Sequence, residues 1–155
     1  MNIELATKQS TPRFVVINPN LILGPQLDPG PTIKGNSLPW MIKILKKETM
    51  DEYIPNDSMS IIDVQDLARL HIAAAFNDDA SGRYFGVNRS YPWVEILREF
   101  HSILPKYYQL SPLDSNEDYK SKIPTQFDHA LGVTLRPLHD TLKDLVDFFK
   151  SKNGL

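Results

Sequence analysis

The 155-residue chain contains no cysteine, which excludes disulfide bonds, thiolate chemistry and cysteine-ligated metal sites. No apolar run approaches the ~18–20 residues that a membrane span needs, and Met1–Glu4 lacks the basic and apolar regions that begin a signal peptide. We therefore expect a cytoplasmic protein with no membrane partner.

An excess of basic residues is also missing. Lysine and arginine number 17 against 19 aspartate and glutamate residues, so the formal net charge is −2. A nucleic-acid partner normally requires a basic face, and we expect none. Glycine is scarce as well: no three of the seven glycines have the Gly-x-x-Gly-x-x-Gly spacing that seats a pyrophosphate at a helix amino terminus. What is present, 41% apolar and 23% charged residues, is typical of one globular domain.

The most informative stretch is Arg13–Pro25. Within it, Phe14–Ile17 is an unbroken apolar and mostly β-branched run, which is typical of a parallel strand covered on both faces. Asn18–Asn20 ends the strand, and Leu21–Leu23 is a short apolar continuation before a Gly-Pro turn. Because ligands of parallel sheets bind beyond the carboxyl ends of the strands, the pattern predicts a ligand near Asn18–Asn20.

Periodicity and capping signals predict that strands and helices alternate along the rest of the chain. The remaining predicted elements are a helix with Ser37 as its N-cap, a strand at Ser60–Val64, a helix at Asp66–Phe76, a strand at Arg83–Val87, a helix that Asn88–Pro92 opens and Trp93–Leu104 continues, and a final helix at Leu138–Lys150. Asp63 or Gln65 is expected to cap the second helix, and Leu67, Leu70, Ala74 and Phe76 to form its packing side. This order predicts the α/β class.

Four segments, taken in order, carry a family resemblance. The first three are Val16–Pro25, Ile62–His71 and Gly82–Tyr84, and the fourth combines Leu131–Gly132 with Arg136–Leu138 and Asp140–Val146. With them the chain resembles the carboxyl-terminal half of an extended short-chain dehydrogenase/reductase. More narrowly, it is similar to the dihydroflavonol-reductase and cinnamoyl-CoA-reductase branch of the NAD-dependent epimerase/dehydratase superfamily.

The resemblance implies the fold and its divisions. It implies the carboxyl-terminal part of a Rossmann-like doubly wound fold plus the small substrate-binding region, without the amino-terminal cofactor half. Residues 1–155 are then a single partial domain, in which 13–25 supplies a sheet strand and the cofactor-side turn. Residues 37–104 supply the helices and strands of the sheet and substrate lobe, and 105–155 an irregular segment and the closing helix.

The resemblance also implies site residues. NAD or NADP is the family's cofactor, and contacts to its nicotinamide side fall on Pro19, Asn20, Leu21, Ile22 and Ser37. Trp40 is the candidate for substrate binding. Gln65 stands where the family segment usually has arginine. The family's catalytic tyrosine lies four residues before a lysine, whose charge lowers the tyrosine pKa for general-acid work. None of the six tyrosines of this sequence is followed by lysine at that spacing, so we predict no catalytic residue here and expect a chain that is inactive alone.

Simpler interpretations account for the other suggestive residues. The four histidines show no metal-ligand spacing, so no metal site is predicted, and His71 is expected to be packed and hydrogen-bonded. Helix capping explains Asp63 and Asp66 without acid–base chemistry.

Three hypotheses stay open from the sequence. The first is the substrate-side portion of an NAD(P)-dependent carbonyl or alcohol oxidoreductase, as a truncated product or one half of a split enzyme, with a small carbonyl substrate in the complete enzyme. The second is a non-catalytic module that self-associates, or complements a separate amino-terminal half, through the open edge of its sheet. The third is a poorly folded product of a decaying gene.

Overall fold

A computed structural model describes residues 13–27, 33, 35–49, 54–104 and 131–152. The elements in these ranges are β1 (Val15–Pro19), β2 (Leu21–Leu23), α1 (Ser37–Leu45), β3 (Ser58–Asp63), α2 (Val64–Phe76), β4 (Gly82–Gly86), β5 (Arg89–Pro92), α3 (Trp93–Ile103) and α4 (Leu138–Ser151). The α/β class is confirmed. The predicted irregular segment at 105–130 lies outside the described residues.

The described strands form two small sheets. β1 pairs with β4 in parallel, and β2 pairs with β3 in parallel. β5 then adds to the other side of β3 in the antiparallel direction. A bend at Asn20 separates β1 from β2, so that consecutive strands of one continuous stretch join different sheets.

Two apolar cores hold these layers together. In the larger core α1, α3 and α4 pack around β2, with Leu23, Met41, Leu97 and Phe149 almost fully buried. In the smaller core Leu70 and Ala74 of α2 pack with Ile62 of β3, and Val15 and Ile17 of β1 pack against this group. The second core covers one face of the β1–β4 pair.

Four sequence-based expectations are wrong in detail. β1 is half-buried rather than covered on both faces, and the preceding Phe14 is 81% exposed. Phe76 is 86% exposed, so it does not belong to the packing side of α2. Ser37 is the first residue of α1 rather than its N-cap, which is Asn36. The stretch before α3 is a strand, β5, because it pairs with β3 instead of opening the helix.

An ion-pair network joins the start of α2 to the segment before α4. Arg136 donates from its guanidinium to Asp63 Oδ2 at 2.9 Å and to Asp144 Oδ2 at 2.7 Å. Its backbone N–H donates to Asp66 Oδ2 at 2.6 Å, and its carbonyl accepts from the Asn88 amide at 2.9 Å. The hydrogen bond to Asp144, with Asp63 nearby, raises the pKa of Arg136, which therefore stays charged. Residues 131–137 are thus fixed against the β3–α2 junction.

Candidate functional site

An apolar cavity lies at the carboxyl ends of β2 and β3. Its volume is about 620 Å³, within the range of small-molecule sites. The lining residues are Ile22, Leu23, Gly24, Pro25, Gln26, Leu27, Gly35, Asn36, Ser37, Leu38, Val64, Gln65 and Ala68. This is the edge of a parallel strand pair at which α/β proteins bind ligands.

The turn after β2 shapes one wall of this cavity. Gly24 has φ +133°, a conformation that residues with a side chain rarely adopt. A Cβ atom built on Gly24 would lie 2.6 Å from Cγ1 of Val64, the first residue of α2. Glycine therefore allows the turn after β2 to approach the amino end of α2, and both then face the same cavity.

Two helices begin at the cavity, and their amino ends differ. Asp63 caps α2, because its Oδ1 accepts from the backbone N–H of Gln65 at 2.7 Å, as predicted. Asn36, the N-cap of α1, makes no such side-chain hydrogen bond. Pro39 in the first turn has no N–H to donate. The N–H groups of Ser37 and Leu38 are therefore the donors that α1 can present at this wall.

The residues predicted to contact a cofactor are only partly brought together. Ile22 and Ser37 line the cavity. Pro19 and Asn20 are exposed at the bend before β2, where the Asn20 amide lies 3.7 Å from Met59 Sδ. Leu21 points the other way, into the larger core, and is 6% exposed.

Trp40, the predicted substrate residue, lies on α1 but is not among the cavity-lining residues. It packs edge-on against the buried Trp93, with ring centroids 5.4 Å apart, and is itself half-buried against the larger core. Gln26, Val64 and Ala68 line the cavity but were not predicted as site residues. For Val64 and Ala68 the available signal was their position in the first turns of a helix that follows a parallel strand.

A second, polar groove of about 740 Å³ lies between β5, α3 and residues 132–139. Arg89 of the groove pairs with Glu95, and His139 Nδ1 lies 2.9 Å from Glu99 Oε2. Arg136, which also lines the groove, pairs with Asp63 and Asp144, which do not line it. The Arg89 guanidinium lies 4.4 Å above the ring centroid of Tyr91, which is also buried. Burial raises the pKa of Tyr91, while Arg89 opposes this effect. These internal pairs explain the charges of the groove without a ligand.

The remaining polar candidates have structural partners. The predicted capping role of Asp63 is confirmed by its hydrogen bond from the Gln65 N–H. Asp66 is buried and accepts instead from the Arg69 guanidinium and from the backbone N–H of Arg136, so it is not a cap. His71 is hydrogen-bonded, with Nδ1 2.7 Å from the Leu67 carbonyl, but it is exposed rather than packed. Within the described ranges, no three histidine or carboxylate residues are grouped closely enough to hold a metal ion. In the same ranges no helix is long and apolar enough to cross a membrane.

Comparison with known proteins shows which enzymes the chain is similar to. No family model matches the chain. Cinnamoyl-CoA reductase 2 of Medicago truncatula is 30% identical over 96% of the chain, and tetraketide alpha-pyrone reductase 2 of Arabidopsis thaliana is 28% identical over 92%. Cinnamoyl-CoA reductase CAD2 of Medicago truncatula is 26% identical over 94%. These relatives match the cinnamoyl-CoA-reductase branch that the sequence resembles.

Solved structures of similar fold support the same comparison. Vestitone reductase from alfalfa superposes with a TM-score of 0.68 at 22% identity, over 91% of this chain and 45% of that one. Yeast methylglyoxal/isovaleraldehyde reductase Gre2, solved with NADPH, gives 0.65 at 19% identity, over 90% and 47%. The three curated relatives are likewise covered over only 43–44% of their own length. The chain thus spans less than half of each of these proteins, as a partial Rossmann-like fold.

Proposed function

We propose that the chain is the substrate-side portion of an NAD(P)-dependent carbonyl or alcohol oxidoreductase. The observation that carries this proposal is the cavity at the ends of β2 and β3, because Ile22 and Ser37 both line it. These are two of the five residues that the family resemblance assigns to the nicotinamide side. The similarity to curated relatives supports the reaction class, since those relatives are named as reductases.

The residues of this chain fit only one end of such a cofactor. Backbone groups of Pro19–Ile22, together with Ser37, are proposed to meet the nicotinamide side, and Trp40 the substrate. The glycines have no spacing suited to a pyrophosphate, and the tyrosines have no lysine partner four residues on. We therefore propose that this chain alone neither binds the whole cofactor tightly nor turns over substrate, and we derive no chemical step for it.

A fragment test separates the two ends of the cofactor. Saturation-transfer NMR of the chain with nicotinamide riboside and with adenosine should show transfer to the nicotinamide protons and none to the adenine protons. Ser37→Trp should abolish the nicotinamide signal by filling the cavity. Ser102→Trp, on the exposed side of α3, should leave it unchanged. Equal signals from both fragments, or none from nicotinamide, would contradict the proposal.

Calorimetry tests the proposed incompetence of the isolated chain. Titration with NADPH and NADP should give a dissociation constant no tighter than ~1 mM, which corresponds to about −4 kcal/mol. A dissociation constant near 1 µM would show that the chain holds the complete cofactor without help.

A second candidate function is a non-catalytic interaction module, and one observation favours it. Within the described residues β1 pairs with β4 alone, so that this small sheet has open edges. Phe14 is 81% exposed just before β1, and Phe85 of β4 is 59% exposed. A sheet edge beside exposed aromatics is suited to adding a strand from a second copy or from a separate amino-terminal half. Sedimentation velocity over a range of concentrations tests self-association, and a monomer at the highest concentration would count against it.

A further inference from the structure

We propose that Arg136 is a positioning residue for the cavity at the ends of β2 and β3, on which it acts through the carboxylate of Asp63. The inference rests on the proposed function, since it names a residue that holds one wall of the same site in place. Arg136 is not among the described lining residues of this cavity, so the proposal gives it no contact with a ligand.

The Asp63 carboxylate links Arg136 to the wall of the cavity. Its Oδ1 atom accepts from the backbone N–H of Gln65 at 2.7 Å, and its Oδ2 atom accepts from the Arg136 guanidinium at 2.9 Å. The Asp63 side chain is 1% exposed, so water hardly competes for either oxygen. A carboxylate that is held from both sides keeps one orientation, and this orientation fixes the position of the Gln65 N–H.

The first turn of α2 carries this position to the cavity. Val64, Gln65 and Ala68 all line it. Val64 also lies against the turn after β2, where a Cβ atom on Gly24 would come within 2.6 Å of Val64 Cγ1. Closely packed groups transmit small displacements instead of absorbing them. A shift of the first turn of α2 would therefore also move the wall at Gly24.

Arg136 can hold this wall because it is itself held from three directions. Its guanidinium donates to Asp144 Oδ2 of α4 at 2.7 Å, and its backbone N–H donates to Asp66 Oδ2 of α2 at 2.6 Å. Its carbonyl accepts at 2.9 Å from the side-chain amide of Asn88, which lies between β4 and β5. A planar guanidinium presents donors to Asp63 and Asp144 in a fixed geometry. The network therefore ties the cavity wall to α4 and to the connection between β4 and β5.

A role in stability alone makes a different prediction. If Arg136 only stabilised the junction, its loss would not weaken ligand binding in a protein that stays folded. Phe100→Ala supplies the matched comparison. Phe100 of α3 is fully buried, so its truncation destabilises the larger core. None of the described lining residues of the cavity belongs to α3.

Ligand-observed NMR titrations of the whole chain with nicotinamide riboside test the proposal, at a temperature where circular dichroism shows both variants to be folded. Arg136→Met should weaken binding at least ~3-fold, because a misplacement of about 1 Å in a site can cost far more than this. Phe100→Ala should leave the dissociation constant unchanged. In isotope-labelled protein the amide resonances of Gly24 and Ala68 should shift in Arg136→Met and stay in place in Phe100→Ala.

The outcomes distinguish this inference from the proposed function. Equal binding by Arg136→Met and the unmodified chain would overturn the inference and leave the proposed function standing, and so would an equal loss in both variants. If the unmodified chain gives no nicotinamide signal, the proposed function falls and the amide resonances decide the inference. Shifts at Gly24 and Ala68 in Arg136→Met alone would support it, and unshifted resonances would overturn it.

Discussion

Arg136→Met is expected to lower the free energy of unfolding by about 3 kcal/mol. The substitution keeps an unbranched side chain but removes the cation that bridges Asp63 and Asp144. The Asp63 side chain is 1% exposed, and breaking a buried pair from one side costs about 3–5 kcal/mol. The low end applies because the Arg136 side chain is 21% exposed, so that water can reach the vacated space. Asp63 also keeps its hydrogen bond from the Gln65 N–H.

Urea denaturation followed by circular dichroism measures this loss, which corresponds to a fall in Tm of about 6–12 °C. Lys143→Met is the matched control, because it also removes a cation from an ion pair, but an exposed one. The Lys143 side chain is 58% exposed and that of its partner Asp147 is 57% exposed. That change should leave the free energy of unfolding nearly unchanged, because exposed ion pairs contribute little. Adding Asp63→Asn to Arg136→Met should cost less than the sum of the single changes, since the buried charge is then gone. If Arg136→Met costs no more than the control, the network does not stabilise the junction and the reasoning is refuted.

Three further predictions concern the turn, the groove and the cores. Gly24→Ala should cost about 1–3 kcal/mol of stability in urea denaturation, because its Cβ meets Val64 at a φ of +133°; a cost near zero would show that the turn rearranges freely. Burial raises the pKa of Tyr91, so the unfolded chain loses this proton first and stability should fall as pH rises above about 10. Tyr91→Phe should reduce the loss of stability with rising pH that thermal melts measure. An unchanged dependence of Tm on pH would argue against the raised pKa of Tyr91 as its cause. Phe149→Ala should cost about 3–5 kcal/mol of stability, because Phe149 is fully buried. Phe76→Ala should cost less than about 0.5 kcal/mol, because Phe76 is 86% exposed. Similar shifts of the urea midpoint for the two variants would contradict this difference.

Local signals predicted most of the elements, and non-local pairing explains where they failed. The capping role of Asp63 could be predicted from the sequence, because a carboxylate between a strand and a helix can accept from the N–H of the second helical residue, only two positions further on. β5 was missed because a short run ending in proline is extended here through its pairing with β3, including the buried Ser60–Ser90 hydroxyl contact of 2.6 Å. Phe76 was misassigned on hydrophobicity alone. It lies six positions after Leu70, roughly 120° away from the Leu70 direction around the helix.

The rule for parallel sheets predicted the kind of place but not the right strand. The sequence put a ligand near Asn18–Asn20, at the end of β1, whereas the cavity lies at the ends of β2 and β3 and those three residues do not line it. Leu21 and Ile22 are neighbours in one strand and therefore point to opposite faces. One of them enters the core and the other lines the cavity. The family resemblance gives Leu21 and Ile22 a role through their backbone groups, so it does not predict which of the two side chains faces the cavity. The packing around β2 decides that.

The parallel pairing of β1 with β4 has a consequence for the order in which the chain can fold. Val15 pairs with Gly82, and Asp66 with Arg136 across 70 positions, so these contacts close long loops. Contacts of this range slow folding, because the entropy of loop closure is lost before they form. During synthesis at roughly 5–20 residues per second, β1 is made about 3–13 s before the strand that pairs with it. During that interval the apolar strand β1 lacks its partner strand β4. The protection of β1 then depends on chaperones or on how quickly the ribosome synthesises β4.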